Sequence, residues 1–230
     1  MDANELYDPE FRKLIKSKKP TVIIPVGSLE QHGAHLPITT DSDIVTEIAS
    51  RLGKKCDFIV FPTISYGISF EHSPLFNTSV NWEILLEHLR SILLSLLRNN
   101  IKSVVILNGH HGNESSIKLL GPDHSPHIKV RSYSYWHFMK HEFDHAGFVE
   151  TSIMLAISDK VKMKKAKKGL ITKGLSEKEI QRIKKLSTER GGFPKVAKNG
   201  VWGDPRDATK KDGEKFLAEI VRNLAKECQS

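Results

Sequence analysis

Four short runs of the chain are rich in β-branched residues, and each is stopped by Gly, Pro or polar residues. They are "TVIIPVG" from Thr21, "DFIVFPTI" from Asp57, "KSVVILNG" from Lys102 and "HIKVRSYSY" from His127. Runs of this length and composition predict strands. Between and after them the apolar positions recur at helical spacing, over about 42–53 (closed by Gly53), 81–99 and 113–120. The same spacing returns near "SEKEIQRIKKL" and in "DATKKDGEKFLAEIVRNLAKE", where Thr209 is a cap signal for a closing helix packed on the sheet. Alternating strands and helices predict an α/β fold with a mostly parallel sheet and helices on its faces.

In such sheets ligands bind beyond the carboxyl ends of the strands, so the loops that follow the strands are where chemistry is expected. Those loops are "GSLEQHGAHLPITTDSD", "SYGISFEHSPLFNTS", "NGHHGN" and "WHFMKHEFDHAGFVET", and every one carries His together with Glu, Asp or Asn.

Composition narrows the class. A chain of 230 residues and 26.0 kDa suits one domain, residues 1–230, with a core of its own. From about 160 to 200 the composition shifts to Lys, Gly and Ser, which reads as an excursion from that domain. No apolar run approaches the roughly 18 residues of a membrane span, and the acidic start "MDANELYDPEF" lacks the features of a secretory signal, so the expected location is cytoplasmic. Cys56 and Cys228 are the only cysteines, without metal-type spacing. The net charge of +8 suits an anionic partner or a plain Lys-rich surface. Nucleic acid is disfavoured as that partner, because residues 162–185 interleave no aromatic side chains for base stacking.

Glu30 and His32 stand two apart in a loop where Gly27, Gly33 and Pro37 oppose a helix, so an extended backbone turns both toward a common centre. Asp41 follows after a turn, and His110 lies at the tip of the third strand. Imidazole and carboxylate without thiolate suit Zn, Mn or Fe(II), and a carboxylate can bridge two ions. Blander readings exist for each: Glu30 and His32 in a solvated turn, Asp41 as a helix cap in competition with Asp43, His110 or His111 closing the "NG" turn. Near the fourth strand, His145 and Glu150 are five apart and cannot share a helix face, so His145 belongs before a first turn that contains Glu150. This frees His145 to move protons while Glu150 approaches the metals. The nearby "HEFDH" matches the H-E-x-x-H zinc pattern, but Lys140, Asp144 and the following Ala-Gly argue against the apolar helix it requires.

The ordered pieces "PVGSLEQHGAHLPITTD", "SYGISFEH", "NGHHGN", "DHAGFVETS" and "GVWGDPRDAT", spread from about residue 22 to 213, resemble the creatininase family of metal-dependent amidohydrolases. The resemblance implies a three-layer α/β/α domain with a two-metal centre, hydrolysing C–N bonds of linear amides rather than peptide bonds. By motif position, Glu30 and His32 would ligate different metals, Asp41 would bridge them, His110 would complete one, His145 would be the active-site histidine and Glu150 an acidic residue at the metals. Gly112 stands where creatinine amidohydrolase has a metal-binding Glu, and Glu150 is the expected replacement. Asn77 replaces a Gly common in the family's substrate loop. The compact length is similar to an archaeal member associated with Fe(II), which removes formate from a formylamino pyrimidine ribonucleotide on the way to riboflavin and a deazaflavin coenzyme. The implied partner is a phosphorylated pyrimidine ribonucleotide, and relatives imply a homo-oligomer. Creatinine ring opening and trimming of a modified peptide are the rival activities within the family; a basic nucleotide-binding protein without catalysis is the rival outside it.

Overall fold

The computed structural model describes residues 1–120, 127–142 and 144–229. Four strands, β1 (Thr21–Val26), β2 (Ile59–Val60), β3 (Ser103–Asn108) and β4 (Lys129–Ser134), form one parallel sheet in the order β2-β1-β3-β4. Strand period two sorts the side chains cleanly. Ile23, Val105 and Leu107 join one core with α2 (Thr40–Cys56), α5 (Phe148–Ile157) and α8 (Lys210–Gln229). Val22, Ile24, Val26, Val104 and Ile106 join the other with α3 (Trp82–Arg98) and Ile15 of α1 (Asp8–Lys18). The result is the expected three-layer α/β/α arrangement. The remaining α-helices among the described residues are α4 (Glu114–Lys118), α6 (Glu177–Ser187) and α7 (Phe193–Val196). Among the described residues, no helix is long and apolar enough to cross a membrane.

Three local readings change. The second strand is far shorter than "DFIVFPTI", because Pro62 offers no N–H to the ladder; pairing with β1 lapses there and returns as an isolated bridge at Ile64. Gly53 does not close α2. It lies inside the helix, where an added Cβ would meet Val60 Cγ2 at 2.5 Å, so the glycine permits close packing, and Asp57 at φ 55° forms the actual terminus. Helix α1 escaped the periodicity argument because it buries Ile15 alone, too thin a stripe to register.

Close packing also explains Gly213 in α8, where an added Cβ would lie 1.9 Å from the Ser152 carbonyl oxygen of α5. Ala is the better helix former by about 1 kcal/mol. Even so, G213A should lower stability by about 1–3 kcal/mol through overpacking, seen as an earlier urea midpoint. An unchanged or later midpoint would mean the two helices can separate freely.

Candidate metal centre

The loop after β1 holds its first residues extended: Glu30 bridges Asn77 and His32 bridges Ala34. Asn77 Nδ2 donates to the Leu75 carbonyl at 2.9 Å and so tightens its own loop. Thr39 donates to Asp43 at 2.8 Å at the start of α2, which leaves the Asp41 carboxylate to turn inward. There its two oxygens divide. Oδ1 lies 3.1 Å from His32 Nε2, and Oδ2 lies 3.0 Å from His110 Nδ1. Glu30 Oε2 is 3.3 Å from the same His110 nitrogen, and Glu150 Oε2 is 3.6 Å from the same His32 nitrogen.

Two overlapping groups result, Glu30–Asp41–His110 and His32–Asp41–Glu150, each with ligand atoms mutually within 4.8 Å. Asp41 belongs to both. The far nitrogens of the two imidazoles are engaged: His32 Nδ1 faces the Glu30 carbonyl at 3.2 Å, and His110 Nε2 faces the Ile68 carbonyl at 2.7 Å. In the neutral rings these contacts select the tautomer that offers the inner nitrogen as a lone pair, the arrangement that orients metal-binding histidines.

Helix α5 begins as expected, with His145 before it and Glu150 in its first turn. Asp144 accepts the Val149 N–H at 3.0 Å and so caps that turn, while Ala146 N–H donates to Glu150 Oε2 at 2.6 Å. His145 is held by reciprocal backbone bonds with Trp202. Its Nε2 lies 3.1 Å from the Gln31 carbonyl, and its Nδ1 lies 3.9 Å from Glu30 Oε1. His145 also forms a group with Glu30 and His32, closer to the candidate ligands than a free proton carrier requires. The "HEFDH" pattern forms no helix at its described positions, and His141 turns outward against Phe148 and Phe216; Phe143, within the pattern, lies outside the described residues.

Some functional neighbours were not singled out in the sequence. Glu71 and His72, both buried, come from the "FEH" turn after β2. His72 Nε2 reaches Glu30 Oε1 at 3.0 Å, and its Nδ1 receives the Gln31 amide at 2.9 Å. Glu71 approaches His110 Nε2 at 3.5 Å. Their only sequence signal was a His beside a Glu in a loop already marked for chemistry.

Gly112 is structurally required. An added Cβ there would sit 2.1 Å from the Ile68 carbonyl oxygen and 2.6 Å from His110 Nε2. The Glu71 carboxylate lies 3.1 Å from the same point, while Glu150 reaches the site from α5.

Electrostatics marks the same place. Burial opposes a charged His32, yet Asp41, Glu150 and Glu30 outweigh it and hold the imidazole up at about 10. His110 is raised likewise against its burial by Glu30, Asp41 and Glu71. Burial pushes the Glu150 carboxyl up to about 8 despite the pull of His32, with Asp41 and Asp144 adding to the rise. His145 is driven well below its ordinary value by burial and then by the His32 and His72 charges, so it is neutral at pH 7. Glu30 Oε1, Asp41 Oδ2 and Glu150 Oε1 are buried without a well-directed hydrogen bond. Buried anionic oxygens demand compensation by protons or cations. The oxygen and nitrogen donors, the orphaned carboxylate atoms and the preset tautomers fit a pair of divalent cations.

The family model described as creatinine amidohydrolase matches residues 4–228. The chain belongs to the creatininase family. It is an enzyme of that family, a metal-dependent amidohydrolase. It is 32% identical over 222 residues, covering 90% of this chain and 84% of the relative, to a mycofactocin precursor peptide peptidase of Mycobacterium ulcerans (strain Agy99). It is 30% identical over 221 residues, 89% of both chains, to a 2-amino-5-formylamino-6-ribosylaminopyrimidin-4(3H)-one 5'-monophosphate deformylase of Methanocaldococcus infernus (strain DSM 11812 / JCM 15783 / ME). A solved creatininase mutant of the Zn-Zn type superposes with a TM-score of 0.81 at 22% identity, covering 99% of this chain and 96% of that one. The creatininase fold of this chain is therefore shared end to end.

Proposed function

We propose that this enzyme hydrolyses the formamide C–N bond of a formylamino pyrimidine ribonucleotide 5'-monophosphate, in the cytoplasm and as a homo-oligomer, with two divalent cations. Fe(II) is the favoured metal and Zn or Mn the alternatives, since availability decides among ions that this donor set accepts. The single observation that carries the reading is the division of Asp41 between His32 and His110. The archaeal deformylase relative supports the substrate, through even coverage of both chains.

Glu30, Asp41 and His110 would hold one ion; His32, Asp41 and Glu150 would hold the other. A pair of such ions polarises an amide carbonyl and lowers the pKa of water toward about 7. The side chains do the rest. Ser28 and His72 fix the Glu30 carboxylate at 3.1 and 3.0 Å. Neutral His145, whose Nε2 sits between the Gln31 carbonyl at 3.1 Å and the Gln31 side-chain amide at 3.2 Å, would take a proton from attacking water on Nδ1 and pass it to the leaving amine nitrogen.

Trimming of a modified peptide is the second reading, favoured by the identity with the mycobacterial peptidase. An anaerobic assay decides between them, with Fe(II), Mn and Zn compared on the formylamino pyrimidine nucleotide, creatinine and a modified peptide. Formate release from the nucleotide with at least one metal is the expected result. Cleavage of the peptide or creatinine without formate release would replace the substrate assignment.

A further inference from the structure

Near the candidate metals lies a cavity of about 360 Å³, and part of its wall comes from the Lys-rich excursion. The end of helix α6 and its C-cap contribute Lys184, Ser187 and Thr188, which sit at i, i+3 and i+4 and thus on one face. The segment after α6 is tied to the turn that carries Glu71 and His72. Gly191 N–H donates to the Phe70 carbonyl at 3.1 Å, Arg190 lies 5.1 Å over the Phe70 ring, and Phe193 packs on His72 and His145 with ring centroids 4.5 and 4.8 Å away. The end of α6 is therefore a fixed wall of the reaction chamber.

We infer that Lys184 is the specificity residue that reads the substrate's phosphate monoester, an inference that rests on the nucleotide reading above. Lys184 is an exposed residue on the cavity lining, within reach of it on a flexible stem, while the lysines that enter ion pairs, Lys18, Lys118 and Lys215, lie elsewhere. A helix carboxyl end ordinarily repels anions through its exposed carbonyls. Here Ser187 and Thr188 donate their hydroxyls to the Lys184 and Lys185 carbonyls at 2.8 and 3.0 Å, which blunts that repulsion. Glu71, Glu142 and Asp144 also line the cavity and oppose an anion. Lys184 supplies the attraction that overcomes them, as a point charge on a flexible stem suited to phosphate oxygens.

The test is calorimetric binding of uridine 5'-monophosphate and of uridine to the zinc-loaded protein, a readout independent of turnover. Wild type should prefer the phosphorylated probe by about tenfold, the scale of one charge-assisted hydrogen bond. K184Q should shrink the preference below about twofold and K184E should invert it. K185Q, on the neighbouring exposed position, should keep the wild-type preference and shows that α6 tolerates loss of a lysine. Equal preference in wild type and K184Q, or none in wild type, overturns the inference. Failure of formate release with the phosphate preference intact would instead remove the assigned reaction and leave Lys184 as an anion-reading residue.

Discussion

D41A should lose both metal ions and lower turnover by more than about 1,000-fold, beyond the 10- to 100-fold that removal of an outer partner costs. The expectation follows from the way Asp41 sits 3.1 Å from His32 on one oxygen and 3.0 Å from His110 on the other. No other described residue takes part in both the Glu30–His110 and His32–Glu150 groups. Removing Glu150 or His110 should therefore empty one position preferentially, whereas removing Asp41 empties both. D41N keeps the shape of the side chain but removes the charge needed between two cations, so its metal content should fall almost as far. Plasma mass spectrometry of dialysed protein, beside a stopped amide-hydrolysis assay, checks the pair. A D41A protein that retains two tightly bound ions would show that the overlap is incidental.

The second large effect belongs to His145. H145Q should retain both ions and reduce kcat about 100- to 10,000-fold, the usual contribution of a positioned acid or base, with a much smaller change in KM. Burial and neighbouring positive charge keep the ring neutral, and its Nε2 is enclosed by the Gln31 carbonyl and side-chain amide, so Nδ1 is the nitrogen left to collect a proton. Because His145 also stands within ligand distance of Glu30 and His32, the metal count of H145Q is the discriminating readout. Loss of one ion would make it a ligand; retention with slow turnover assigns it to proton transfer.

Much of this architecture is legible in the chain. The sheet could be read because β1 and β3 are continuous apolar runs, as burial on both faces of a parallel sheet demands, and the helices between them carry apolar stripes. That the side chains of Glu30, His32, Asp41, His110, His145 and Glu150 come together could be read because each stands in a strand-end loop or in the first turn of the helix after it, where a fold of this class gathers chemistry. Glu71 and His72 were less legible, since what matters is the direction of a short turn and nothing in a Glu-His pair specifies it. Gln31 hides between two conspicuous residues, and only the meeting of His72 and His145 around its amide and carbonyl reveals its part. The role of α6 was invisible for another reason. A Lys-rich amphipathic helix reads as solvated surface until packing of the adjoining turn against Phe70, His72 and His145 shows which of its faces meets the cavity.

The most direct test of the central claim is an anomalous-scattering map from crystals of the wild-type protein reconstituted with zinc. Two peaks should appear, one within coordination distance of Glu30, Asp41 and His110, the other within reach of His32, Asp41 and Glu150. A map with no peak among these side chains, or with a single ion that leaves either group empty at saturating zinc, would contradict the two-metal account.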